Sequence, residues 1–136
     1  MNPNSTPVYG LLIHPAGTAS LLALPTRDLA FALRKHTGPG EPSTVTYELC
    51  NGRAITVACT TTPPPNAYAT ALIELMGHTS GSTLYGPVVL FGAPDSGRRP
   101  GSLPEDLAMA ALVLLRHLRQ VTTPGPPDSR VAEAPA

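Results

Sequence analysis

The chain has 136 residues, 42% of them apolar but only 4% aromatic, and no tryptophan. Nine Lys and Arg balance nine Asp and Glu, so the formal net charge is zero. This length and apolar content imply one domain with a Leu, Val, Ile and Ala core and exclude an intrinsically disordered chain. The charge balance supplies neither the positive field of a non-specific DNA binder nor the negative field of a DNA mimic.

In chain order, Val8 to His14 (VYGLLIH) and Ala19 to Leu24 (ASLLAL) are apolar runs separated by a Pro/Gly turn, which predicts a β-hairpin. Thr26 to His36 reads as a helix, with Thr26 as N-cap, Asp28 in the first turn and Leu29, Phe31, Ala32 and Leu33 on the apolar face. Arg34, Lys35 and His36 gather at its C-terminus, and Gly38 ends it. Thr44 to Cys50 and Arg53 to Thr60 read as strands joined by Asn51-Gly52. A two-residue turn there pairs Cys50 with Arg53 and places Cys59 opposite Thr44. The cysteines would then lie about 20 Å apart along the sheet, too far for a disulfide.

Thr60 to Pro65 (TTTPPP) predicts a stiff, extended connection. Asn66 is the expected N-cap of a helix over Ala67 to Met76, stopped at Gly77. Gly86 to Gly92 (GPVVLFG) is apolar throughout, the mark of a central strand. Ser102 and Glu105 have capping-box spacing and open a final helix to Gln120. Its buried stripe is expected at Leu107, Ala111, Leu114, Leu115 and Leu118.

The order ββ-α-ββ-α-β-α predicts a small α+β domain over residues 8–120. A mixed or antiparallel sheet of about five strands would carry its helices on one face, with flexible termini at 1–7 and 121–136. Met1 to Pro7 lacks the charged and apolar regions of a secretory signal. The longest apolar run, Leu107 to Leu115, is far short of the ~20 residues of a membrane span. The expectation is a cytoplasmic protein without a membrane association.

Three features occur in order: Leu11-Leu12-Ile13-His14-Pro15 leading to Gly17; Pro64, Asn66 and Ala69; and Gly86, Val88, Val89, Leu90, Gly92, Asp95 and Gly97. In this arrangement residues 8–103 resemble the family catalogued as domain of unknown function three-eight-four-six, encoded by phages, plasmids and the bacteria that carry them. The chain departs from the family at Thr60 to Pro65, where an acidic, Gly-containing turn is usual, and in its long last helix. The resemblance implies a setting in a mobile element or its host and carries no activity.

Candidate chemistry is sparse. Gly92 to Arg99 (GAPDSGRR) has the glycine spacing of a phosphate-binding loop, but Arg98 and Arg99 stand where Lys and Ser or Thr are needed. What remains is an anion site at Arg98, Arg99 and the helix end at Ser102, suited to a nucleotide-like ligand. His14, His36, His78 and His117 lack metal-ligand spacing, Ser80 misfits a nucleophile elbow, and Glu105-Asp106 belongs to a first helical turn. No catalytic set, metal site or cofactor motif is found. Arg34-Lys35-His36 and Arg116-His117-Arg119 would need to converge for nucleic-acid binding, and each is also explained by a helix dipole.

The last helix is the stronger lead. Met109, Leu112 and Val113 widen its apolar stripe, so the helix is either buried completely within one chain or keeps an exposed stripe that marks an interface for a protein partner. A homodimer is the simplest cover. The expectation is a non-catalytic accessory protein acting through protein contacts, with anion handling and nucleic-acid binding as the alternatives.

Overall fold

A computed structural model describes residues 7–25, 29–38, 42–49, 52–77, 83–94 and 100–122. The elements are β1 (Val8–Ile13), β2 (Ala19–Leu24), α1 (Leu29–Thr37), β3 (Ser43–Glu48), β4 (Ala54–Pro65), α2 (Ala67–Leu75), β5 (Tyr85–Pro94), β6 (Pro100–Gly101) and α3 (Glu105–Thr122). One antiparallel sheet has the order β2-β1-β5-β4-β3, with the two-residue β6 beside β5. The α+β architecture and the element order are those expected from the sequence, with β6 added.

β5 is central, as its unbroken apolar run requires. Val88 and Leu90 point to one face and Val89 and Phe91 to the other, all fully buried. A strand that is apolar on both sides needs cover on both sides. This corrects the expectation that the helices share one face. α2 and α3 pack on Leu11, Ile13, Ile55, Val57, Val88 and Leu90. α1 covers Val8, Leu12, Ala58, Val89 and Phe91 on the opposite face with Ala32 and Leu33. The topology explains the split, because α1 carries the chain from edge strand β2 to edge strand β3.

Within α1, Phe31 is exposed and not part of the apolar face, with the Lys35 ammonium 5.2 Å from its ring centre. The expected Thr26 cap and Asp28 lie outside the described residues. Gly38 follows the helix in left-handed backbone (φ +92°) and donates its N–H to the Arg34 carbonyl at 3.2 Å.

The β3–β4 register is one residue away from the expected pairing. Ser43 faces Cys59 and Glu48 faces Ala54, and the Leu49 N–H donates to the Arg53 carbonyl at 2.7 Å. Three residues, not two, separate Leu49 from Arg53, with Gly52 at φ +83°. A three-residue turn ending on a left-handed glycine is the next commonest hairpin connection. The change matters because one residue of slip exchanges the two faces of a strand. The observed register turns Tyr47 and Leu49 into the core beneath α2 and α3. Cys59 is a free thiol, and Cys50 lies outside the described residues.

Candidate functional site

The last helix begins later than its capping-box spacing predicts. α3 starts at Glu105, and the Ala108 N–H donates to the Pro104 carbonyl at 2.9 Å. Ser102 is therefore not the cap. Its Oγ accepts the Tyr9 N–H at 3.0 Å, and the Leu103 N–H donates to the Tyr9 carbonyl at 2.9 Å. These bonds tie the entry of α3 to β1, because the residues before the helix run extended beside the sheet.

Arg53, just before β4, grips Asp106 with both terminal guanidinium nitrogens, the longer bond being 3.3 Å. Hydrogen bonding from Arg53 holds the Asp106 carboxyl below the usual carboxylate range. A depressed folded pKa contributes stability that is complete above the unfolded pKa and lost as pH falls through the folded one. Asp106→Asn is thus expected to lower the urea midpoint slightly at neutral pH. Urea titrations at pH 7 and pH 3 check this, since the gap from the parent should close in acid. Both groups are largely exposed, so the effect is small.

Leu107, Ala108, Ala111 and Leu115 turn inward, whereas Leu114 and Leu118 are only half-buried. Of the three residues expected at an interface, Met109 and Val113 stand in solvent at 56% and 63% exposure. Leu112 is half-buried against the core. Met109 and Val113 are one turn apart and form a ridge, which continues at i+7 and i+11 through exposed Arg116 and Gln120.

Clefts flank this helix on both sides. Toward α2, a cavity of about 240 Å³ is lined by Ala67, Tyr68, Ala71 and Leu118. Toward β2, one of about 190 Å³ is lined by Ala19, Leu112, Leu115, Arg116 and Arg119. Arg119 donates to the Gly17 carbonyl at 3.3 Å, linking the helix C-terminus to the β1–β2 turn. Farther along β2, Leu21 pairs with Leu11 across the strands and so points to the α3 side, yet it is 65% exposed. Tyr9, two residues before Leu11 on that face, is also exposed. α3 leaves this edge of the sheet uncovered.

The other sequence candidates divide plainly. Arg98 and Arg99 lie outside the described residues, as do His78 and Ser80. Ser102 has the structural bond to Tyr9. Arg34, Lys35 and His36 are carried by a helix on the opposite sheet face from Arg116, His117 and Arg119. Among the described residues no three His, Cys, Asp or Glu are placed to hold a metal ion. Burial pushes the Cys59 thiol up, which suits a packing group better than a nucleophile. No helix among the described residues is long and apolar enough to cross a membrane.

Asn66 caps α2 as expected, but sequence reasoning missed its wider reach. The side chain is fully buried and every polar atom is used. Oδ1 accepts the Ala69 N–H at 2.9 Å, while Nδ2 donates to the carbonyls of Ile13 at 2.9 Å and Gly86 at 2.8 Å. One amide thus joins β1, α2 and the start of β5. Two partners are remote in sequence, so only the helix-start signal was visible.

Comparison with family models, with curated proteins and with solved structures returned no match in any of the three.

Proposed function

We propose that the protein is a non-catalytic binding module that works by holding another protein against the outer flank of α3. The observation that supports this is the exposed ridge of Met109 and Val113 on a helix whose opposite side packs into the core. Large apolar side chains that remain in water after folding gain free energy only when a partner covers them. The resemblance to the mobile-element family adds a setting, that of an accessory factor of such an element or its host.

The test is Met109→Glu with Val113→Glu in the full chain, purified gently from its host and weighed by native mass spectrometry. Both side chains are exposed, so the melting temperature should stay within a few degrees of the parent. Association should weaken by roughly tenfold or more for each charge placed in the contact, about 1.4 kcal/mol. A variant that retains the parent's assembly mass would exclude this flank.

A further inference from the structure

The flank of α3 is complementary to itself, and we infer that it docks a second copy of this chain with the two α3 helices antiparallel. This rests on the reading of α3 as a contact surface and adds the partner. At 100° per residue, Glu105, Met109, Leu112, Val113 and Arg116 share one side of the helix. Along the axis the stripe reads carboxylate, methionine, two aliphatic side chains, guanidinium. Its charged ends are eleven residues apart, about 16 Å at helical rise. Both Glu105 and Arg116 are exposed, and neither has a side-chain partner among the described residues.

The Arg116 position is not a matter of the helix dipole. α3 continues to Thr122, so Arg116 precedes the last turn, where Arg119 sits. Dipole complementation fades beyond that turn. Among the described residues, Arg116 therefore stands as a cation without a side-chain partner at one end of an apolar ridge whose other end is a carboxylate likewise without one.

Such a stripe fits a copy of itself in one direction only. A parallel pair would set Glu105 on Glu105 and Arg116 on Arg116. Reversal about an axis near Ala111 sets each Glu105 beside the Arg116 of the other copy, and each Met109 against the Leu112 and Val113 of the other. Every contact then occurs twice and the assembly closes at two chains. The apolar centre supplies affinity, while the charged ends fix direction and register. Leu21 and Tyr9, exposed on the same sheet face at the β2 edge, widen the apolar area available beside the helix. A purely acidic or purely basic partner would leave one end of the stripe unmatched.

The test uses full-length chains carrying Glu105→Arg or Arg116→Glu, with sedimentation equilibrium and native mass spectrometry. Each variant alone faces like charges at both ends and should dissociate about tenfold more readily than the parent. An equimolar mixture restores opposite charges at both ends, so heterodimers should dominate over either homodimer. The direction is read from the single variants, since in a parallel pair the parent would already face like charges and neither variant would be weaker. A statistical mixture of species would overturn the inference. A monomeric parent that still holds a different protein, lost on Met109→Glu with Val113→Glu, would overturn self-pairing and leave the docking flank standing. A dimer indifferent to all four substitutions would overturn both.

Discussion

Replacing Asn66 by alanine is expected to remove a large part of the stability of the fold. The change strands the carbonyls of Ile13 and Gly86 and the N–H of Ala69 in a site closed to water. Each unpaired buried group costs about 1–3 kcal/mol, so the loss is roughly 3–5 kcal/mol after partial relaxation. Against a domain stability of about 5–15 kcal/mol, that puts the variant near the unfolding threshold at 37 °C. The melting temperature should fall by roughly 12 °C or more. Asparagine is the residue the site demands, since it offers two donors and one acceptor from one planar group. Aspartate at 66 would keep the helix cap but aim a carboxylate oxygen at two carbonyls. Its pKa would rise, and the stability of Asn66→Asp should fall as pH increases. Thermal unfolding of both variants between pH 4 and 8 checks this, and a shift of only two or three degrees for alanine would show that the network contributes little.

Gly92→Ala should be comparably damaging for a different reason. A β-carbon there falls within contact distance of the Ser102 carbonyl oxygen, 3.1 Å from the Ser102 carbonyl carbon and 3.2 Å from Pro104 Cδ. The obstacle is backbone, which cannot turn aside as a side chain does. Residues 101–103 would have to move away from β5, taking with them the bonds to Tyr9 that seat α3. Overpacking of this kind costs about 1–3 kcal/mol, and loss of the Tyr9 bonds adds to it. Gly38→Ala is the control. Its left-handed backbone carries a strain of about 1–2 kcal/mol, but a methyl group there meets nothing among the described residues. Urea denaturation of the two variants separates clash from strain, with Gly92→Ala expected to be the less stable.

Asn66 and Gly92 both belong to the motifs that stand out in the sequence, and the structure gives both a packing reason. Asn66 and Ala69 share a capping bond, Ala69 is fully buried, and Gly86 lends its carbonyl to Asn66. Gly92 lets two backbones meet. Such a pattern conveys how the chain folds and is silent on chemistry.

What could be read from the sequence followed its range of interaction. The first hairpin, the α2 cap and the central β5 strand rest on neighbours or on a local apolar run, and all three were legible. The register at Asn51-Gly52 failed by one residue because two- and three-residue turns share that dipeptide, and only burial of Tyr47 and Leu49 chooses between them. Placing α1 on the second face was within reach: Leu11-Leu12-Ile13, Val57-Ala58 and Val88 to Phe91 are apolar at odd and even positions alike, a pattern that one layer of helices cannot cover. Ser102 was misread because the strand-like approach to α3 depends on Tyr9, 93 residues earlier. The Arg53–Asp106 pair likewise joins groups 53 residues apart. On α3, helical periodicity separated core from flank for Met109 and Val113, but Leu112 is drawn halfway inward by the cleft beside Ala19.

Whether the outer flank of α3 is a contact surface between chains is decided by sedimentation velocity of the parent beside Met109→Glu with Val113→Glu. A two-chain species is expected for the parent and a folded single chain for the variant at equal concentration. Identical sedimentation of the two, with melting temperatures unchanged, would contradict it.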